Sequence, residues 1–207
     1  MAKQNTHLEH LEDDILNQGS NGGRNAIAFL RELGKMLTEP VSGVGVTTKW
    51  DGAPAVICGK HPTTGRFFVG TKGVFAKMPK ICMNDEDVDR FYSGELANKL
   101  KMCLRLLPQV PMKGVLQGDL LFTKGDVSTR KMNGQKCHTF MPNTITYAVP
   151  VNTPMGKKVA TSQLGIVFHT TYTGGPTLRD MRPGFGVDAR RMPVSYTHLT
   201  LPTKRIV

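Results

Sequence analysis

Lys49 stands in Thr47-Thr48-Lys49-Trp50-Asp51-Gly52-Ala53, where a β-rich run ends, Asp-Gly turns the chain and a second β-rich run begins at once. That grammar predicts a lysine on the rim of a sheet, its amine facing a pocket. A lysine amine is a nucleophile once deprotonated. With an ordinary pKa of about 10.4, it needs burial or nearby positive charge to lose its proton near neutrality. Lys-x-Asp-Gly alone is a weak signal, since residue frequencies produce it in roughly one chain in twenty of this length. The competing reading is a solvent-facing lysine beside an ordinary hairpin.

Three later runs carry further candidates. Val69-Gly70-Thr71-Lys72-Gly73 supplies a lysine one hairpin on, and Val115-Leu116-Gln117-Gly118-Asp119-Leu120-Leu121-Phe122 supplies an acid on a strand. Leu164-Gly165-Ile166-Val167-Phe168-His169 supplies an aromatic and a histidine. Each also has a plain structural reading: a surface lysine in a turn, a strand-capping aspartate, a core phenylalanine and a hydrogen-bonded structural histidine. Lys157-Lys158 reads as a solvated turn, Tyr147 as core or pocket-wall packing, and Trp50 as facing the sheet side opposite Lys49. Cys58, Cys82, Cys103 and Cys137 form no CxxC pair, which argues against a zinc site or a disulfide framework and for reduced thiols.

The elements that must hold these residues are mostly short strands. Residues 8–16 and 26–37 predict two helices, interrupted by Asn17-Gln18-Gly19-Ser20-Asn21-Gly22-Gly23 and closed before Pro40. Strands are expected at Val44–Trp50 and Ala53–Cys58, paired through Asp51-Gly52, and at Arg66–Gly70. One long helix is expected from Asp85 to Pro108, with strands at Val115–Phe122, Cys137–Phe140, Thr144–Val149 and Leu164–Thr171. Lys131-Met132-Asn133-Gly134 holds another hairpin signal. The class is α+β, built on antiparallel sheets with flanking helices and preceded by two N-terminal helices. Three segments are expected: a helical appendage at 1–40, the chemical domain at 41–193 and a tail at 194–207.

The net charge is +11, and it is uneven. Residues 1–40 are net acidic, whereas residues 41–193 carry a strong basic excess, which suits a polyanionic partner such as a nucleotide or nucleic acid. No apolar run approaches the ~20 residues of a membrane span, and the polar N-terminus is unlike a signal peptide. A cytoplasmic protein is expected, without membrane partners.

The Lys49-Trp50-Asp51-Gly52 segment resembles motif I of the covalent nucleotidyltransferases, the superfamily of ATP-dependent DNA and RNA ligases and mRNA-capping enzymes. The resemblance runs over roughly residues 43–172 and implies a ligase-type nucleotidyltransferase (adenylation) domain using ATP and Mg²⁺. In that family the motif lysine attacks the α-phosphate of a nucleotide and releases pyrophosphate, which makes Lys49 the residue that would carry AMP. Asp51 and Gly52 would belong to the same nucleotide site. Lys72 matches the basic residue that contacts phosphate or ribose. Asp119 matches motif III, where most members have Glu, and would contact ribose or metal. Phe168 matches the aromatic of motif IIIa that stacks on the purine, and His169 departs from the aspartate common there. Pro54 replaces an arginine found in many DNA ligases, which favours an RNA-ligase-like or divergent member. The overall pattern also resembles tailed-phage proteins of ligase-like type, which implies the host cytoplasm.

Motif IV, an acid on a strand, and motif V, a Lys-x-Lys, find no match before residue 193. Val194–Val207 resembles translated sequencing-adapter read-through, so the expectation is a non-native tail with both motifs lying downstream in the natural protein. Two further readings stay open: guanylyl transfer, and a basic nucleic-acid-binding or phage structural protein with a degenerate nucleotide pocket.

Overall fold

Glycines and capping residues, more than hydrophobic runs, decide where the elements break. The computed structural model describes residues 11–38, 46–47, 50–185, 198–201 and 205–206; Lys49 and the start of the first expected strand lie outside them. In chain order the elements are α1 (Leu11–Gln18), α2 (Ser20–Thr38), β1 (Val46–Thr47), β2 (Ala55–Lys60), β3 (Phe67–Gly70), α3 (Asp85–Phe91), α4 (Gly94–Leu106), β4 (Val115–Thr123), β5 (Ser128–Met132), β6 (Gln135–Phe140), β7 (Tyr147–Pro150), α5 (Pro154–Thr161), β8 (Leu164–Thr173), β9 (Arg182–Phe185), β10 (His198–Leu201) and β11 (Arg205–Ile206). The protein is thus α+β with two N-terminal helices. Among the described residues, no helix is long and apolar enough to cross a membrane.

Two units form, one of Met1–Thr48 with Arg205–Val207 and one of Lys49–Lys204. In the first, α1 and α2 pack together and β1 pairs antiparallel with β11. The expected break between the helices shrinks to Gly19, which takes φ 56°, and α2 starts at Ser20. Gly22, inside α2, lies against the Asp14 carbonyl of α1, where a Cβ would collide, so the close packing of the two helices requires glycine there.

The second unit is organised on a sheet ordered β3-β2-β4-β8, antiparallel throughout. At the outer edge of β8, β9 pairs antiparallel with Thr170–Thr173 and β10 pairs parallel with Leu164–Val167. A second antiparallel sheet has the order β5-β6-β7. Strand alternation sorts the core. Val56, Cys58, Val69, Leu116, Leu120, Ile166 and Phe168 meet α3 and α4 on one face. On the other face, Leu121, Phe122 and Val167 meet Phe140 and Val149 of the second sheet and Val159 of α5. Ile57, Phe68 and Val115 meet Val74 and Leu178 at that face's far end.

Two expectations are corrected. The helix predicted as one piece from Asp85 is two, with Asn84 capping α3 through its side chain and Gly94, at φ 61°, opening α4. The apolar residues keep their spacing, but Tyr92-Ser93-Gly94 turns the chain between them. Asp51-Gly52 is not a two-residue hairpin turn either. Neither residue has the positive φ that such a turn needs, and β2 finds its partners in β3 and β4.

Candidate functional site

The segment that follows Lys49 is fixed by side chains far away in sequence. The Tyr147 hydroxyl accepts from the Asp51 backbone N–H (2.9 Å) and donates to the Asp51 carbonyl (2.8 Å). It therefore satisfies both backbone groups of one residue, a job otherwise done by a ladder partner. Asn143 Nδ2 donates to the Asp51 carboxylate at 2.7 Å. The Trp50 ring lies 5.1 Å from that of Tyr147, which in turn stacks at 5.5 Å on Phe140. Trp50 and Asp51 are thus clamped to the second sheet.

Gly52 ties the same segment to the main sheet. A Cβ there would come 2.5 Å from the Leu120 carbonyl oxygen, so no larger residue fits without moving the backbone. Two residues on, the Pro54 carbonyl accepts from Leu120 N–H at 3.0 Å, and Ala55 then pairs with Asp119. The motif's glycine serves close approach rather than turn geometry.

Asp119 projects from β4 on the face shared with Leu121 and Val167. His169 falls on the same side as Val167 by strand alternation, and the bulge between Gln117 and Gly118 carries Thr170 and Tyr172 to that side as well. His169 Nε2 lies 3.5 Å from the Asp119 carboxylate, and its Nδ1 lies 2.8 Å from the Thr170 hydroxyl. Gly118 permits this register: its Cβ would meet the Val167 carbonyl oxygen at 2.5 Å. Next in the row, Gln117 accepts from the Tyr172 hydroxyl at 2.8 Å, and burial pushes the Tyr172 phenol above its ordinary pKa. Gln117, Asp119, His169 and Tyr172 form a polar row between two apolar clusters of one sheet face.

Lys72 opens a short 3₁₀ turn, Lys72–Phe75, directly after β3, and it is exposed. The turn is anchored by Phe75, whose ring lies 4.6 Å from Tyr172, and by the Thr71 hydroxyl, 3.1 Å from that of Tyr92. It borders the far end of the polar row.

Gly52 therefore lies against Leu120, the residue after Asp119, while Asp51 is held by Tyr147 and Asn143, and Lys72 lies at the other end of the row. Phe168 does not join them. It is 2% exposed and packs among the α3–α4 cluster, on the opposite face from Asp119. Lys157 and Lys158 lie on the exposed side of helix α5 rather than in a turn. Sequence reasoning missed Asn143, Gln117 and Tyr172, and gave Tyr147 only a packing role. Their partners lie 55 to 96 residues away, beyond the reach of any local spacing.

Among the described residues, no group of three or more His, Cys, Asp or Glu side chains could hold a metal ion. A Mg²⁺ bound chiefly through substrate phosphates needs only one or two carboxylates, and Asp119 suits that demand.

The chain belongs to a family of unknown function, DUF6267, whose family model matches residues 5–205. No curated protein and no solved structure matches it.

Proposed function

We propose that this protein is an ATP-dependent polynucleotide ligase-like nucleotidyltransferase, with a ligase-type adenylation domain and Lys49 as its covalent nucleophile. The observation that carries the reading is the anchoring of Trp50, Asp51 and Gly52. A nucleophile gains most from being held in one geometry, and the residues that follow Lys49 are pinned on three sides. Nothing in an ordinary surface hairpin requires an aspartate bonded through backbone and side chain, followed by a glycine pressed on β4.

In this mechanism the Lys49 amine, deprotonated, attacks the α-phosphorus of ATP. A phosphorus–nitrogen bond forms, the bond to the bridging oxygen breaks and pyrophosphate leaves. Lys72 neutralises phosphate charge at the far end of the row, and Asp119 holds ribose or the metal. Mg²⁺, when bound, supplies Lewis-acid stabilisation of the phosphates. His169, beside Asp119, orients that carboxylate. The AMP then passes to the end of a nucleic-acid strand. Phe168 has no part, given its burial in the core.

The test is transfer of label from ATP carrying radioactive α-phosphate, with Mg²⁺, to protein expressed from its natural gene. Wild type retains label through denaturation at neutral pH, and Lys49→Ala does not. Labelling from GTP alone would move the protein to the capping branch. A second reading, nucleic-acid binding around a degenerate pocket, is favoured by the buried Phe168; no label from either nucleotide would select it.

A further inference from the structure

The second sheet and its neighbours carry charge in an unusual way. Between Asp126 and Asp180 the chain has no acidic residue, yet it holds Arg130, Lys131, Lys136, Lys157, Lys158 and Arg179. On the opposite side of the main sheet the charge is mixed and largely paired. There α3 and α4 bear Asp85, Glu86, Asp87, Asp89 and Glu95 beside Arg90, Lys99, Lys101 and Arg105, and Arg90, Lys99 and Lys101 pair with acids of that group. Among the described residues, none of the six basic side chains of the acid-free stretch makes an ion pair.

The hairpin β5–β6 concentrates this charge. Every residue of β5 is exposed, and the strands join through Asn133 (φ 46°) and Gly134 (φ 80°), a tight two-residue turn. Lys131 and Lys136 are directly paired across it, so both ammonium groups leave the same face side by side. Like charges directly opposite destabilise a sheet, and nothing on the hairpin offsets them. The next pair on that face, Thr129 and His138, joins hydroxyl to imidazole at 3.2 Å. The pairs are two residues apart, about 6.8 Å along a strand, close to two nucleotide rises of about 3.4 Å.

We infer that the β5–β6 hairpin is a docking surface for the phosphate backbone of a nucleic acid, with Lys131 and Lys136 as its principal contacts. The inference takes from the proposed function only the class of partner. A polyanion accounts for both the paired lysines and the missing acids, because each phosphate–lysine contact releases a counterion and relieves the repulsion. A membrane surface fits less well: Met132 is the one large apolar residue near the tip, and no aromatic accompanies it.

The experiment measures anisotropy of a fluorescein-labelled nicked duplex, as DNA and as RNA, against salt concentration, without ATP. Lys131→Gln/Lys136→Gln should flatten the slope of log affinity against log salt by about 2 and weaken binding roughly tenfold or more in moderate salt. Lys113→Gln, an exposed lysine at the other end of β4, should leave the slope unchanged. Lys131→Arg/Lys136→Arg should restore it. The neutralised variant should melt no lower than wild type, since it loses only repulsion; a lower melting temperature would make these lysines structural and overturn the inference. An unchanged slope would overturn it, as would loss of binding to phosphatidylserine vesicles with oligonucleotide binding intact, which assigns the hairpin to a membrane. Adenylylation is read separately. Hairpin-dependent binding without any lysyl-AMP would remove the ligase reading and keep the docking surface.

Discussion

Tyr147 decides more about the candidate site than its place in the sequence announces. Its hydroxyl closes two backbone hydrogen bonds on Asp51, and its ring supports Trp50. Tyr147→Phe keeps the packing and strands both Asp51 backbone groups, at a cost of about 1–3 kcal/mol. Urea unfolding should register that loss, and adenylylation should fall by more than stability alone explains. An unchanged rate would separate the clamp from the chemistry. Gly52 and Gly118 make a second prediction. Each would bring a Cβ within 2.5 Å of a backbone carbonyl oxygen, so the backbone itself must yield. Gly118→Ala should destabilise by about 1–3 kcal/mol. It should also disturb the bulge that sets Tyr172 against Gln117, seen as displaced Tyr172 ring resonances by NMR. Both glycines were visible in the sequence as motif letters. That they serve contact with β4 and β8 was not, because the contacting carbonyls belong to other strands.

At the scale of elements, the strands were legible and the joints were not. β3, β4 and β8 follow their β-branched and aromatic runs almost to the residue. Asp51-Gly52 misled because the dipeptide that makes a hairpin also suits any sharp loop, and only long-range pairing tells them apart. The Asp85 helix misled because apolar spacing survives a break when the two pieces pack on the same cluster. β5 and α5 were missed, being polar or short. That cluster also carries a pH signature. Burial pushes the Cys103 thiol up to about 12, and burial first, then Cys103, raises Cys58. A thiol kept neutral in the fold but free to ionise on unfolding, near 9, makes no difference below that pH and favours the unfolded chain above it. Stability should therefore decline as pH rises from about 9 towards 12, by at most about 1.4 kcal/mol per unit per thiol. Urea midpoints at pH 8 and pH 10.5 would check this, and Cys103→Ala should lessen the drop.

For the whole molecule, charge says more once it is placed. A net charge of +11 does not reveal clustering; the fold does, by stacking the charge-paired helices α3 and α4 on one face of the main sheet and the acid-free β5–β7 and α5 layer on the other. The polar row, the anchored Trp50–Asp51–Gly52 segment and the cationic hairpin all belong to that second face. The proposed nucleotide site and the proposed polynucleotide surface thus share one side of one sheet, as end-joining chemistry would require.

The most direct measurement is to locate the adduct. After incubation with ATP and Mg²⁺, the protein from its natural gene would be digested at neutral to mildly alkaline pH and mapped by mass spectrometry. The account predicts AMP on Lys49 and on no other lysine. AMP absent from the folded protein, or found on Lys72 with Lys49 bare, would contradict it.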